Sequence, residues 1–223
     1  APIAGVVFAH EAVLRHFSFR AITPIAVASI TSAWFSSKMF GGQPIFQIDV
    51  VLPELLSLVP ILLGSGLFFG LIAIIFMHLL FASGKLAART KLTPLALGLV
   101  AAVICGVVAI FVPEVMGLGV ETVNKILDDE YLVGFLLVLL VFKLLVTTLS
   151  IGFGLYGGVF SPALFIGAAA GGFIAKVIAL VGLASAPQLL AVAGMAAVAS
   201  AVVGAPIAVV LIVLEFTMSY EFA

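Results

Sequence analysis

The chain has 223 residues, of which 65% are hydrophobic and 9% charged, and its mean hydropathy is +1.43. A soluble domain is roughly 45–50% apolar and about 25% charged, so this composition excludes the soluble globular class. The formal net charge of −1 gives no basic surface for nucleic acid, and the single cysteine, Cys105, forms neither an internal disulfide nor a metal site by itself. The sequence therefore predicts a multi-pass integral membrane protein whose partner is the lipid bilayer, in a plasma membrane or a bacterial inner membrane.

Eight apolar runs follow one another along the chain, at residues 1–13, 21–35, 55–82, 92–112, 131–149, 159–183, 189–203 and 205–216. A straight crossing needs about 20 residues, so the first and last runs are predicted not to cross the membrane completely. The third run exceeds one crossing and contains Pro60 and three glycines, which predicts one tilted or broken helix instead of two spans. The way the numbering opens and stops suggests a segment of a longer protein.

The first and last runs repeat each other. Residues 1–11 and 205–215 share Ala-Pro-Ile-Ala at their start and a glutamate, Glu11 or Glu215, at their end, with a constant offset of 204. The match favours a duplication over recurrence for helix packing alone. A duplication predicts inverted repeats, related by rotation about an axis in the membrane plane, with a transport site at their interface.

A glycine-rich turn interrupts the apolar sequence before residue 163. Gly157 and Gly158 precede Val159, Phe160 and Ser161, and Pro162 fits the first turn of a helix. Irregular backbone at membrane depth is tolerated where it is buried in protein or lines a polar cavity, and glycines let a ligand approach the main chain. A helix start carries about half a positive charge, so the turn predicts an anion held by backbone N–H groups. Gly167, Gly171 and Gly172, inside the helix, are instead predicted to serve close helix packing.

Ionisable side chains in the apolar runs are the other candidates. His10 and Glu11 are either functional or face cytoplasmic water, and Glu215 is interpreted as a hydrogen-bonded structural acid. Lys143 either snorkels or raises the potential for anions in an inner vestibule, and both readings stay open. The three histidines are scattered, so the sequence predicts no catalytic residues, no metal site and no enzyme.

The turn Gly158-Val159-Phe160-Ser161-Pro162 matches the GxFxP signature of the CLC family of chloride channels and chloride/proton exchangers. Residues 1–11 and 191–217 resemble the family's segments before and after that helix. The resemblance implies an all-α membrane fold of tilted, broken and re-entrant helices in inverted repeats, with residues 1–50 ending the first repeat and 51–223 forming most of the second. It also implies a homodimer with one pore per subunit, chloride as the transported ligand, no cofactor, and the N–H groups of Val159 and Phe160 as anion donors.

The same resemblance implies which parts are missing. The family's GSGIP and GREGP signatures and its pore tyrosine do not occur in these residues, so the chain is not expected to conduct alone. Bacterial exchangers end the helix that matches residues 1–13 in two consecutive acids, whereas this chain has Glu11-Ala12. The change favours a channel or weakly coupled transporter, with His10 or Glu11 as substitute relays. A chloride/proton antiporter and a secondary transporter of another inorganic anion stay as alternatives.

Overall fold

The structure is a computed structural model that describes residues 2–41, 45–46, 55–182 and 186–217, and side chains throughout except at 55–58. Every regular element in these ranges is helical, so the predicted all-α fold is confirmed. The nine α-helices within the described ranges are α1 (Pro2–Phe8), α2 (Phe19–Phe40), α3 (Leu55–Arg89), α4 (Pro94–Phe111), α5 (Val120–Leu127), α6 (Val133–Gly152), α7 (Phe160–Leu180), α8 (Pro187–Val203) and α9 (Pro206–Thr217). A π-helical segment, Ala9–Leu14, continues α1, and a 3₁₀ turn, Pro113–Val115, follows α4.

Four helices of the described chain are long and apolar enough to cross a membrane: Val59–Arg89, Pro94–Phe111, Val133–Gly152 and Phe160–Leu180. Helix α2 has 22 residues but is not among them. The apolar helices Pro2–Leu14 and Pro206–Thr217 are shorter, and α9, with 12 residues, extends about 18 Å at 1.5 Å per residue. That length is well below the roughly 30 Å of a hydrocarbon core, in agreement with the predicted incomplete crossings.

Helix α3 is one helix of 35 residues. It runs without interruption through Pro60, Gly64, Gly66 and Gly70, the positions at which a break was an alternative. At 1.5 Å per residue it extends about 52 Å, so it exceeds the roughly 30 Å of one hydrocarbon core. Helix α3 packs on α6 and α8, and the rings of Phe69 and Phe76 on it are buried.

Helices α7 and α8 form the closest helix pair of the core. A Cβ added at Gly167 would lie against the backbone carbonyl of Gly194 and 2.7 Å from the Cα of Met195. A Cβ at Gly171 would likewise meet the backbone of Leu190 and Ala191. Small residues let two membrane helices approach to backbone contact, so the packing role predicted for these glycines is what the structure shows.

Helices α1 and α9 exchange hydrogen bonds through their glutamates. The carboxylate of Glu215, near the end of α9, accepts the N–H groups of Ile3 (3.0 Å) and Ala4 (2.9 Å) at the start of α1. The carboxylate of Glu11 accepts the N–H groups of Ile207 (3.2 Å) and Ala208 (2.6 Å) at the start of α9. We call this reciprocal pair of caps the glutamate clasp.

The glutamate clasp explains why the two short segments resemble each other. Its donors and acceptors follow the offset of 204, because Ile3 corresponds to Ile207 and Glu11 to Glu215. Each carboxylate reaches the start of the other helix, so the helices are antiparallel and a two-fold rotation, not a translation, relates them. Neither Ala nor Pro at the Ala-Pro starts can cap a helix with a side-chain oxygen, so the acceptors come from the partner helix. The division into repeats at about residue 50 stays a prediction.

We expect Gly171→Val to destabilise the protein by about 1–3 kcal/mol, because the new side chain would overlap the backbone of α8. Gly106→Val on α4 is the matched control, since a Cβ there meets no described atom within 4 Å and the substitution carries the same β-branched side chain. Thermal unfolding of both purified variants in detergent measures the difference. Equal melting temperatures would contradict the close packing of α7 on α8.

We expect Glu11→Gln and Glu215→Gln each to lower the free energy of unfolding by about 1–3 kcal/mol, because an amide replaces one acceptor oxygen with a donor. The double variant should lose less than the sum of the single losses, since both caps hold the same two helices. Glu121→Gln is the control: its carboxylate pairs with Lys125 on an exposed face, and the melting temperature should not change. Strict additivity would show that the two caps act independently.

Candidate anion-binding site

The predicted turn lies between α6 and α7. Gly154 has φ +89°, a conformation that favours glycine, and it turns the chain away from the end of α6. Residues 155–158 belong to no regular element, and the side chain of Tyr156 is fully exposed. A Cβ added at Gly158 would meet no described atom within 4 Å, so the space beside this glycine is open.

Helix α7 begins where the sequence predicts, with Val159 as the residue before its first turn. The first hydrogen bond of α7 runs from the N–H of Ala163 to the carbonyl oxygen of Val159, at 3.0 Å. Among the residues that the structure describes, no carbonyl or side chain accepts from the N–H groups of Val159, Phe160 and Ser161. These three donors, at the positive end of a 21-residue helix, are available to an anion.

Two side chains of this turn connect it to the rest of the fold. The ring of Phe160 packs edge-on against the ring of Phe8, with centroids 6.4 Å apart, and the hydroxyl of Ser161 donates to the carbonyl oxygen of Leu118 at 3.4 Å. A largely apolar cavity of about 230 Å³ lies beside Phe160 and Ser161, and Phe46 and Phe216 also line it. The turn is therefore bounded by α1 on one side and by the segment before α5 on the other.

Lys143 of α6 lies behind the start of α7. Its ammonium donates to the carbonyl oxygens of Val115 (2.7 Å) and Gly117 (3.0 Å) and lies 4.6 Å from the ring centroid of Phe165. The residue is 3% exposed, so it does not snorkel. Within the described residues no carboxylate oxygen lies within 4.0 Å of this ammonium. A role of Lys143 in an inner vestibule stays a prediction.

His10 and Glu11 lie elsewhere, in the π-helical continuation of α1. Such segments are rare and are frequent at functional sites. His10 is 1% exposed; its Nδ1 lies 2.8 Å from the carbonyl oxygen of Val6, its Nε2 lies 3.4 Å from that of Ser18, and its ring stacks on Phe17. With Ala12, Arg15 and other residues, His10 and Glu11 line a cavity of about 430 Å³ that neither Val159 nor Phe160 reaches.

Some functional contacts were not predictable by inspection of the sequence. The sequence indicated that Glu11 and Glu215 occupy one register, but not that each would bind the helix start of the other segment. The carbonyl partners of Lys143 and its contact with Phe165 had no signal, because backbone acceptors carry no sequence pattern. The expectation that His10 faces water does not fit its burial, whereas Glu215 is the hydrogen-bonded acid that the sequence predicted.

Comparison with known proteins places this geometry among related chains. The chain is 36% identical over 231 residues to a protein of Ralstonia nicotianae named "Putative chloride channel protein ClcB-like", covering 99% of this chain and 52% of that one. It is 33% identical over 233 residues to the "H(+)/Cl(-) exchange transporter ClcA" of Vibrio cholerae, covering 99% of this chain and 49% of that one. The chain thus spans about half the length of the curated relatives it matches.

Solved structures agree with the sequence matches. The crystal structure of a slow cyanobacterial Cl⁻/H⁺ antiporter superposes with a TM-score of 0.84 at 26% identity, covering 100% of this chain and 53% of that one. A CLC-type fluoride/proton antiporter superposes with a TM-score of 0.79 at 25% identity, covering 99% of this chain and 55% of that one. The helix order described above is therefore shared with two solved antiporters.

The sequence model of one family also matches the chain, from residue 1 to residue 223. Its description is "Voltage gated chloride channel". The match covers the glutamate clasp, the glycine turn and the start of α7 together. The protein is a multi-pass integral membrane protein, and its chain belongs to the voltage-gated chloride channel (CLC) family.

Proposed function

We propose that the full-length gene product moves chloride, or a closely related inorganic anion, across the membrane. The anion binds the N–H groups of Val159 and Phe160, and Gly157, Gly158, Ser161 and Pro162 shape the turn that presents them. The observation that carries this proposal is the open start of α7, where no described protein group accepts from the first N–H groups. An anion supplies the missing acceptor and is favoured by the dipole of the helix.

The chemistry of the turn suits transport. Residues 157–163 contain no Lys or Arg, so the site offers backbone dipoles without a full positive charge in the turn itself. Conduction requires binding that is favourable enough for entry and weak enough for release. Within the described residues, the ionisable groups that membrane-embedded catalysis would need do not converge on the turn. This favours a transporter over an enzyme, and the proposed anion transport requires no cofactor.

The relatives support the same proposal. Their printed names describe chloride channels and proton/chloride exchange transporters. Because the chain spans about half of those relatives, we infer that these 223 residues form part of a pore and do not conduct alone. We also infer a homodimer through the membrane domain: no residue of α2 is buried within the described chain, and its apolar Ile30 and Trp34 are exposed.

Whether protons accompany the anion depends on the end of α1. Ala12 cannot carry a proton, and Glu11 already uses both carboxylate oxygens to accept from α9. Protonation of Glu11 would remove one acceptor from the glutamate clasp, which opposes a relay role. These contacts favour uncoupled conduction over chloride/proton antiport.

We expect Val159→Pro to weaken anion binding by about ten- to a hundredfold, because proline removes one N–H donor and a hydrogen bond to a charged group contributes about 1.5–3 kcal/mol. The φ of Val159, −90°, lies about 10° outside the usual range of proline, and the preceding Gly158 has no Cβ to clash. Val159→Ala keeps the donor and is the matched control. Calorimetric titration with bromide measures both variants in detergent. Equal affinities would contradict the backbone site.

A liposome experiment separates channel from exchanger. We expect the full-length gene product, reconstituted and given a chloride gradient, to show anion flux without sustained uphill proton movement. Proton pumping would instead establish antiport. In that case His10→Ala and Glu11→Gln identify the relay, and Glu215→Gln is the control for Glu11→Gln because it removes the equivalent cap without touching the cavity beside His10.

A further inference from the structure

Lys143 is a buried cation without a carboxylate partner among the described residues. Removal of an ammonium from water is costly unless other polar groups replace its hydration, and an ionisable residue inside a membrane segment marks a functional position by default. Here the replacement is two backbone carbonyl oxygens and one aromatic ring. An apolar side chain of similar length would fill the same space without that cost, so the contacts that the ammonium makes are the feature to explain.

Lys143 holds the end of the 3₁₀ turn and the segment that leads from it to α5. Val115 and Gly117 both point a carbonyl oxygen at the ammonium. Gly117 and Gly119 have φ of +60° and +72°, the left-handed conformation that shapes this segment around the lysine. We call residues 115–119 the clamp loop.

The clamp loop in turn packs against the first two turns of α7. The carbonyl oxygen of Leu118 accepts from the hydroxyl of Ser161, and a Cβ at Gly119 would overlap the ring of Phe165. Lys143 contacts the same Phe165 ring, with its ammonium 4.6 Å from the ring centroid. These contacts span the turn that carries the proposed anion donors and the turn after it.

The other described anchors at the start of α7 are apolar, since Val159 and Phe160 pack against the main hydrophobic cluster. Within the described residues no side chain caps the helix at Val159, and the residues just before it, 156–158, are exposed and irregular. Phe8 contributes one aromatic contact to Phe160. The clamp loop is the polar connection that the described residues provide between the first turn and the protein behind it.

We infer that Lys143 is a positioning residue for the anion site: by holding the carbonyl groups of the clamp loop against α7, it fixes the direction of the Val159 and Phe160 N–H groups. This inference rests on the proposed function. A purely electrostatic role, in which the positive charge attracts the anion from a distance, is the competing account. If Lys143 acts by position, a change in the clamp loop weakens anion binding even when the charge of Lys143 is intact. If it acts only by its charge, such a change has no effect on anion binding.

The test compares bromide affinity among variants of the full-length gene product, measured by calorimetric titration in detergent. Lys143→Met removes the cation but keeps an unbranched apolar side chain. Gly119→Ala keeps the cation and drives a methyl group into the Phe165 ring. Gly182→Ala is the control for backbone strain, since Gly182 has φ +79° at the far end of α7 and no described atom lies within 4 Å of its Cβ position.

We expect Lys143→Met and Gly119→Ala each to raise the Kd for bromide about tenfold, the change that about 1.4 kcal/mol produces, and Gly182→Ala to leave it unchanged. A weaker affinity in Lys143→Met with normal affinity in Gly119→Ala would establish the electrostatic account and overturn ours. Normal bromide affinity in both variants would also overturn the positioning role of Lys143.

Failure of the proposed function can be distinguished from failure of the positioning role. Absence of bromide binding to the unmodified protein would refute the proposed function itself, whereas binding that is indifferent to Gly119→Ala refutes only the positioning role. If Lys143→Met does not fold, Phe165→Leu replaces it, because that change removes the ring beneath the ammonium and keeps the charge. Unchanged bromide affinity in Phe165→Leu at an unchanged melting temperature would contradict the inference.

Discussion

A helix that starts inside a membrane exposes backbone N–H groups that lipid cannot satisfy, and the structure depends on how each such start finds an acceptor. At α1 and α9 the acceptors are carboxylates from the other helix of the pair. At α7 no acceptor is present among the described residues. The same physical requirement therefore produces a structural joint in one place and a candidate ligand site in another.

These places are in contact with each other. Phe8, which is the last residue of α1, packs on Phe160, which is the first residue of α7. The glutamate clasp fixes α1, so it also supports one side of the turn, while the clamp loop supports the other side through Ser161 and Phe165. The glutamate clasp and the clamp loop fix the position of the turn without placing a side-chain charge in it. The backbone N–H donors of the turn stay open.

The sequence predicted those features that depend on local residue type. The glycines, the proline and the apolar run indicated a helix start at Val159 and Phe160, and the recurrent Ala-Pro-Ile-Ala with its glutamate indicated a related pair of segments. It did not predict what lies across space. Glu11 binds residues almost 200 positions away, Lys143 binds carbonyl groups of the clamp loop, and His10 is enclosed by the turn between α1 and α2. These contacts arise from packing and leave no periodic pattern in the chain.

We propose that the open start of α7 binds the transported anion through its backbone N–H groups. Anomalous diffraction from crystals of the full-length gene product grown with bromide tests this most directly. We predict a bromide peak within hydrogen-bonding reach of the N–H groups of Val159 and Phe160. Bromide density found only beside Lys143, or none at the start of α7, would contradict the claim.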